Sequence, residues 1–129
     1  GILNDMVEHA REHAPLEACG LLVGVDFAVK KSYRLTNVDA SPEHFSLDPK
    51  EQFAVVKEIR PNGWDVLAVY HSHPATPARM SPEDLRLALA PGIQYVIVSL
   101  VDSENSQVKS FIVREGQPIE EPVMTEELR

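Results

Sequence analysis

The chain has 129 residues, 43% of them hydrophobic and 25% charged, the balance of one ordinary globular domain and too little for two. Twelve Lys and Arg against 20 Asp and Glu leave a net charge of −8, which argues against nucleic acid or an anionic membrane as partner, since both need basic surface. One cysteine, Cys19, rules out an intramolecular disulfide and a cysteine-rich zinc module, and apolar runs such as Tyr95 to Val101 are too short to span a bilayer. The opening Gly-Ile-Leu-Asn-Asp lacks the basic stretch and long apolar core of a signal peptide, so a cytoplasmic enzyme or binding domain is expected.

In chain order, residues 2 to 14 predict a helix. Ile2, Leu3, Met6, Val7 and Ala10 recur at three- and four-residue spacing, and Pro15 stops the run. Residues 18 to 25 read as a buried strand and 27 to 38 as its hairpin partner, with Asp26 near the turn. A loop over residues 39 to 43 leads to the extended piece His44-Phe45-Ser46-Leu47. Asp48 then suits a helix N-cap and Pro49 the first helical position, with Phe53, Val56 and Ile59, and Val55 beside them, giving that helix its apolar face. Pro61-Asn62-Gly63 ends it, and residues 65 to 71 predict a strand. Ser81-Pro82 opens a third helix, expected to run through Leu85, Leu87 and Leu89 to Pro91-Gly92. Strands follow over 94 to 101 and 107 to 114, paired with each other. The last fifteen residues, with five glutamates and two prolines, read as an irregular acidic tail. The sum is a mixed α/β fold with about three helices around one central sheet, a single domain over 1–114 followed by the tail 115–129.

The stretch that carries chemistry is residues 70 to 84. His71 and His73 stand two apart at a strand end, so both imidazoles project to one face and Ser72 to the other. Such a pair can pinch a divalent metal, and Asp84, ten intervening residues later in the first turn of a helix, can add a carboxylate oxygen. Two nitrogens and one oxygen leave a fourth tetrahedral position open, as a catalytic zinc site needs. Taken alone, histidines at a strand end are more often surface or hydrogen-bonded residues than ligands. Ser81, Pro82 and Asp84 likewise resemble a capping box, which needs no metal.

His71-Ser72-His73-Pro74, then six residues, then Ser81-Pro82-Glu83-Asp84 resembles the signature of the JAMM (MPN-plus) zinc metalloproteases. Upstream, Glu17-Ala18-Cys19-Gly20-Leu21-Leu22 resembles that family's glutamate strand, and the order of elements agrees from about residue 2 to 114. The resemblance implies a JAMM/MPN fold of cytidine-deaminase-like architecture. It implies that His71, His73 and Asp84 hold Zn²⁺, that Glu17 takes a proton from water and passes it to the leaving amine, and that Ser81 steadies the oxyanion. Phe45-Ser46-Leu47-Asp48-Pro49 looks like the stand-alone prokaryotic members. Those imply a peptidase or isopeptidase cutting after the C-terminal Gly-Gly of small ubiquitin-like or sulfur-carrier proteins, with residues 39 to 47 as a wall of the tail channel. Two rival readings are a non-catalytic MPN scaffold and a peptidase for cell-wall or phage-associated peptides. Retention of every signature residue argues against the scaffold.

Other patterns weigh less. His9, Glu12 and His13 match H-x-x-E-H, but their helix is cut at Pro15, and partly exposed histidines are expected instead. Zinc deaminases need a Pro-Cys-x-x-Cys pair that a chain with one cysteine lacks. Cys19 reads as a small buried residue.

Overall fold

The computed structural model describes residues 1–102 and 104–123. It consists of α1 (Ile2–His13), β1 (Cys19–Val25), β2 (Ala28–Leu35), α2 (Pro49–Ile59), β3 (Asp65–His73), α3 (Pro82–Leu87), β4 (Gln94–Ser99), β5 (Gln107–Arg114) and β6 (Gln117–Glu121). The strands form one sheet in the order β2-β1-β3-β4-β5-β6. Only the central pair β3–β4 is parallel, joined through α3, while the remaining pairs are antiparallel. This is the mixed sheet with three helices that the sequence predicts.

Alternation along the strands builds a core on each face of the sheet. Leu22, Ala68, Tyr70, Val96 and Val98 turn one way and meet Met6 and Ala10 of α1. Cys19, Leu21 and Val23 turn the other way and meet Val55 and Ile59 of α2, and Ile97 and Phe111 continue that face under Ala78 and Met80. Gly20 sits where β1 crosses most tightly, since a Cβ there would run into the Tyr33 carbonyl oxygen and the Tyr70 ring.

Local signals in the chain fix several boundaries. Ala14, ahead of Pro15, has ψ 139, outside the helical region. Asp48 caps α2 by accepting from Lys50 N at 2.9 Å. Asp26 takes the hairpin turn at φ 56.

Four expectations are corrected. Phe53, assigned to the apolar face of α2, is 64% exposed, because Val55 and Ile59 at i and i+4 already fill the contact with the sheet. The third helix ends at Leu87, six residues long, and Leu89 is 80% exposed. Residues 117–121 of the expected irregular tail pair with β5 and extend the sheet, whereas 124–129 lie outside the described residues. His9, expected to be partly exposed, is 1% exposed. Its Nδ1 and the Tyr70 hydroxyl are 2.7 Å apart. Burial, followed by the charge of neighbouring His13, holds its pKa down at about 4. Glu12 pairs with Arg34 at 3.2 Å, so the H-x-x-E-H pattern is spent on packing and an ion pair. Among the described residues no helix is long and apolar enough to cross a membrane.

Candidate active site

The site forms where β1, β3 and α3 meet. The antiparallel register sets Cys19 opposite His71. One step further, Ser72 N donates to Ala18 O at 3.0 Å, and Ala18 N donates to Ser72 Oγ at 2.8 Å. Ser72 therefore faces away from the two histidines, as alternation requires, and locks the end of β1 onto β3. The next step brings Glu17 alongside His73. Neither proximity is local, since Glu17 lies more than fifty residues before His73.

His71 and His73 are both buried, and their Nε2 atoms stand 3.1 Å apart. The Asp84 carboxylate completes the group, with Oδ1 3.2 Å from His71 Nε2 and Oδ2 3.1 Å from His73 Nε2. The α3 terminus aims that carboxylate. Ser81 Oγ accepts from Asp84 N, and Ser81 N donates to Asp84 Oδ2, each at 3.0 Å, a reciprocal capping box. The capping reading and the ligand reading of Asp84 thus hold together: one oxygen caps while both face the imidazoles. Ser81 Oγ acts in its cap as acceptor, which leaves its hydroxyl proton to donate elsewhere.

The donor set fits a divalent cation. One candidate ligand atom from each of His71, His73 and Asp84 lies within 4.8 Å of the others. His73 Nδ1 is 2.9 Å from Pro77 O, so it is the protonated nitrogen, and in the neutral ring Nε2 carries a lone pair into the group. Two imidazole nitrogens and two carboxylate oxygens then converge, an arrangement that needs positive charge at its centre. Burial acts against a proton on either ring. For His71 it prevails and the pKa falls; for His73 the hydrogen bonds to Asp84 and to the Pro77 carbonyl outweigh it and the pKa rises. Burial also opposes the Asp84 carboxylate, but hydrogen bonds from His71 and His73 override it and hold the group far below the usual carboxylate range.

Glu17 is 4% exposed, and its Oε1 is the buried side-chain oxygen without a hydrogen-bond partner among the described residues. Burial pushes its pKa up to about 8, with Asp84 and Glu43 adding to the rise and His73 opposing it. A buried carboxylate left unpaired beside a histidine–aspartate group is costly in a resting fold and serves proton transfer. Cys19 is fully buried, and burial raises its thiol pKa to about 12, in keeping with an inert packing residue.

Segment 37–47 forms the outer wall. Asn37, which sequence reasoning passed over, is its anchor. Its Nδ2 donates to Glu17 O at 3.0 Å and His44 O at 3.1 Å, and its Oδ1 accepts from Asp39 N and Ser46 N. The Phe45 ring stacks on His71, with centroids 4.5 Å apart and planes at 23°. A cavity of about 30 Å³ opens beside these rings, lined by His44, Phe45, His71, Met80 and Tyr95, with Glu83, Asp84 and Leu87 from α3. No local pattern marks Asn37 or Asp39, because their roles depend on where the segment lands.

A family model described as prokaryotic homologs of the JAB domain matches residues 1–112. The CysO-cysteine peptidase of Mycobacterium tuberculosis is 36% identical over 124 residues, which cover 95% of this chain and 85% of that protein. A desampylase of Haloferax volcanii is 36% identical over 103 residues, 74% of each chain. Among solved structures, a solution structure of a Desulfitobacterium hafniense protein matches with TM-score 0.87 and 47% identity, covering 98% of this chain and 90% of that one.

Proposed function

This chain belongs to the prokaryotic homologs of the JAB domain, the JAMM family that its motif resembles, and we propose that it is a zinc peptidase that cleaves the amide bond after the C-terminal tail of a ubiquitin-fold or sulfur-carrier protein. The observation that carries the reading is the unpartnered Glu17 carboxylate beside the converging His71, His73 and Asp84. His71, His73 and Asp84 would hold the ion. Bound there, zinc polarises the scissile carbonyl and lowers the pKa of water.

The remaining work falls to the chain's own side chains. Glu17 accepts the proton of the attacking water and returns it to the leaving nitrogen, which an oxygen already committed to hydrogen bonds would do less well. Ser81, capping α3 as an acceptor, donates its hydroxyl proton toward the developing oxyanion. Phe45, Met80 and Tyr95 keep the adjoining cavity narrow, which suits a glycine tail better than one with side chains. The substrate class rests on the names of the relatives, one a peptidase for a CysO-cysteine conjugate and the other a desampylase.

The test combines metal analysis with turnover. The wild-type chain reconstituted with zinc is expected to hold one ion and to cleave a carrier ending Gly-Gly-X well ahead of the same carrier ending Ala-Ala-X. Glu17→Gln should keep the ion and lose nearly all turnover. Failure to take up zinc at neutral pH, or full activity in Glu17→Gln, overturns the reading. Cleavage of a peptidoglycan peptide but of neither carrier would move the enzyme to another substrate class.

A further inference from the structure

The cavity beside His71 contains a polar group that the chemistry above leaves unused. His44 lines it, in a wall that is otherwise largely apolar on the segment 37–47 side. Asp39 Oδ2 lies 2.9 Å from His44 Nδ1 and accepts from Ser46 Oγ at 2.8 Å. The carboxylate therefore fixes the His44 proton on Nδ1, and in the neutral ring Nε2 is an acceptor. Asn37, buried at the base of the segment, holds the backbone of both Asp39 and His44 in place. A half-exposed histidine held by a carboxylate on one nitrogen and by a buried amide through its backbone is preorganised to meet a donor.

Its place relative to the cleaved bond follows from Glu17. The leaving nitrogen must come within reach of Glu17, which lies on the His73 side of the group and does not line the cavity. The cavity therefore faces the acyl side of the bond, where the tail enters. A main-chain N–H entering between Phe45, Met80 and Tyr95 would lose its water, and the other polar groups of the lining are engaged elsewhere, Glu83 with Arg86, Asp84 with Ser81 and the two histidines, and the Tyr95 hydroxyl with Ala90, which leaves His44 Nε2 as the acceptor on the segment 37–47 side.

We propose that His44, oriented by Asp39, accepts a hydrogen bond from a main-chain N–H of the substrate tail next to the cleaved bond and so acts as a specificity-determining residue. The inference deepens the peptidase reading and rests on it. It gives the narrow cavity a positive selection for main chain, beyond the mere exclusion of side chains.

The experiment is a chemical double-mutant cycle on the zinc-loaded protein at pH 8. The substrate is a semisynthetic ubiquitin-fold carrier ending Gly-Gly-Cys, and each glycine N–H is replaced in turn by an ester oxygen, which removes the donor without adding bulk. His44→Ala is expected to lower kcat/KM for the all-amide tail roughly tenfold, as for one lost hydrogen bond. At one of the two glycines the ester should cost the wild type a similar factor and cost His44→Ala almost nothing. His44→Gln, whose amide oxygen can accept, should recover part of the loss. The same cycle is read as affinity by calorimetry in a Glu17→Gln background. Losses that multiply at both glycines in kinetics and in binding overturn the proposal. A wild-type chain that fails to cleave the all-amide carrier overturns the peptidase reading, and the calorimetric cycle then judges His44 separately; no measurable tail affinity overturns both.

Discussion

Glu17 should destabilise the protein it serves, and replacing it should make the metal-free fold more stable as pH rises. The carboxyl is 4% exposed, its Oε1 is unpartnered, and burial raises its pKa from about 4.5 to about 8. The folded state thus holds a proton that the unfolded chain has lost. The stability tied to that proton is complete below pH 4.5, declines between 4.5 and 8, and is gone above 8. Each unit is worth about 1.4 kcal/mol, so the penalty reaches about 3 kcal/mol at pH 7 and at most about 5 kcal/mol above pH 8. Against a total stability of roughly 5–15 kcal/mol for a domain, this is a large fraction. Glu17→Gln cannot titrate there. Its buried amide carries its own cost, but one independent of pH, so the informative quantity is the difference between the two chains as a function of pH. Urea unfolding in the presence of a chelator, at pH 5, 6, 7 and 8, should show Glu17→Gln gaining on the wild type at each step, with unchanged m-values. With zinc present the gap should narrow, because a nearby cation favours the carboxylate. Parallel stability curves from pH 5 to 8 in the chelated protein would refute the buried, unpaired state of Glu17 and with it the case for a poised base.

Other expected outcomes follow from the same contacts. Gly20→Ala should cost about 3 kcal/mol by overpacking against the Tyr33 carbonyl and the Tyr70 ring, seen as a fall in Tm of roughly 10 °C by calorimetry. His9 is held neutral with a pKa near 4, so its contribution is complete above pH 6.5 and lost as pH falls toward 4, up to about 3 kcal/mol; His9→Gln should remove that component of acid unfolding monitored by circular dichroism. Ser81→Ala removes the acceptor that caps α3 and should lower stability by about 1 kcal/mol in urea titrations while slowing turnover by roughly 10²-fold. Phe45→Ala frees one face of His71 and should weaken metal retention about tenfold in competition with a chelator.

Much of the site could be read from residues close together in the chain, because its parts obey short-range rules. Two histidines at i and i+2 of a strand share a face whatever surrounds them, and Ser81, Pro82 and Asp84 start a helix through bonds within four residues. The ends of α1 and α2 were legible for the same reason, one from Pro15 and the other from Asp48-Pro49. What tertiary structure decided is everything that depends on which surface is already filled. Phe53 and Leu89 are as apolar as Val55 and Ile59, yet the sheet had room only for the latter pair. His9 reads as a polar helix residue, and only Tyr70, sixty-one positions away, makes its burial tolerable. Residues 117–121 carry no strong strand pattern and become a strand because β5 offers an unpaired edge. The Asp39–His44 pair owes its place beside the candidate metal site to Asn37, which ties segment 37–47 to the Glu17 backbone. Periodicity and capping are settled by the energy of a few neighbouring residues, whereas burial and the pairing of distant polar groups are settled by competition for a finite interior, and that competition exists only once the chain has closed on itself.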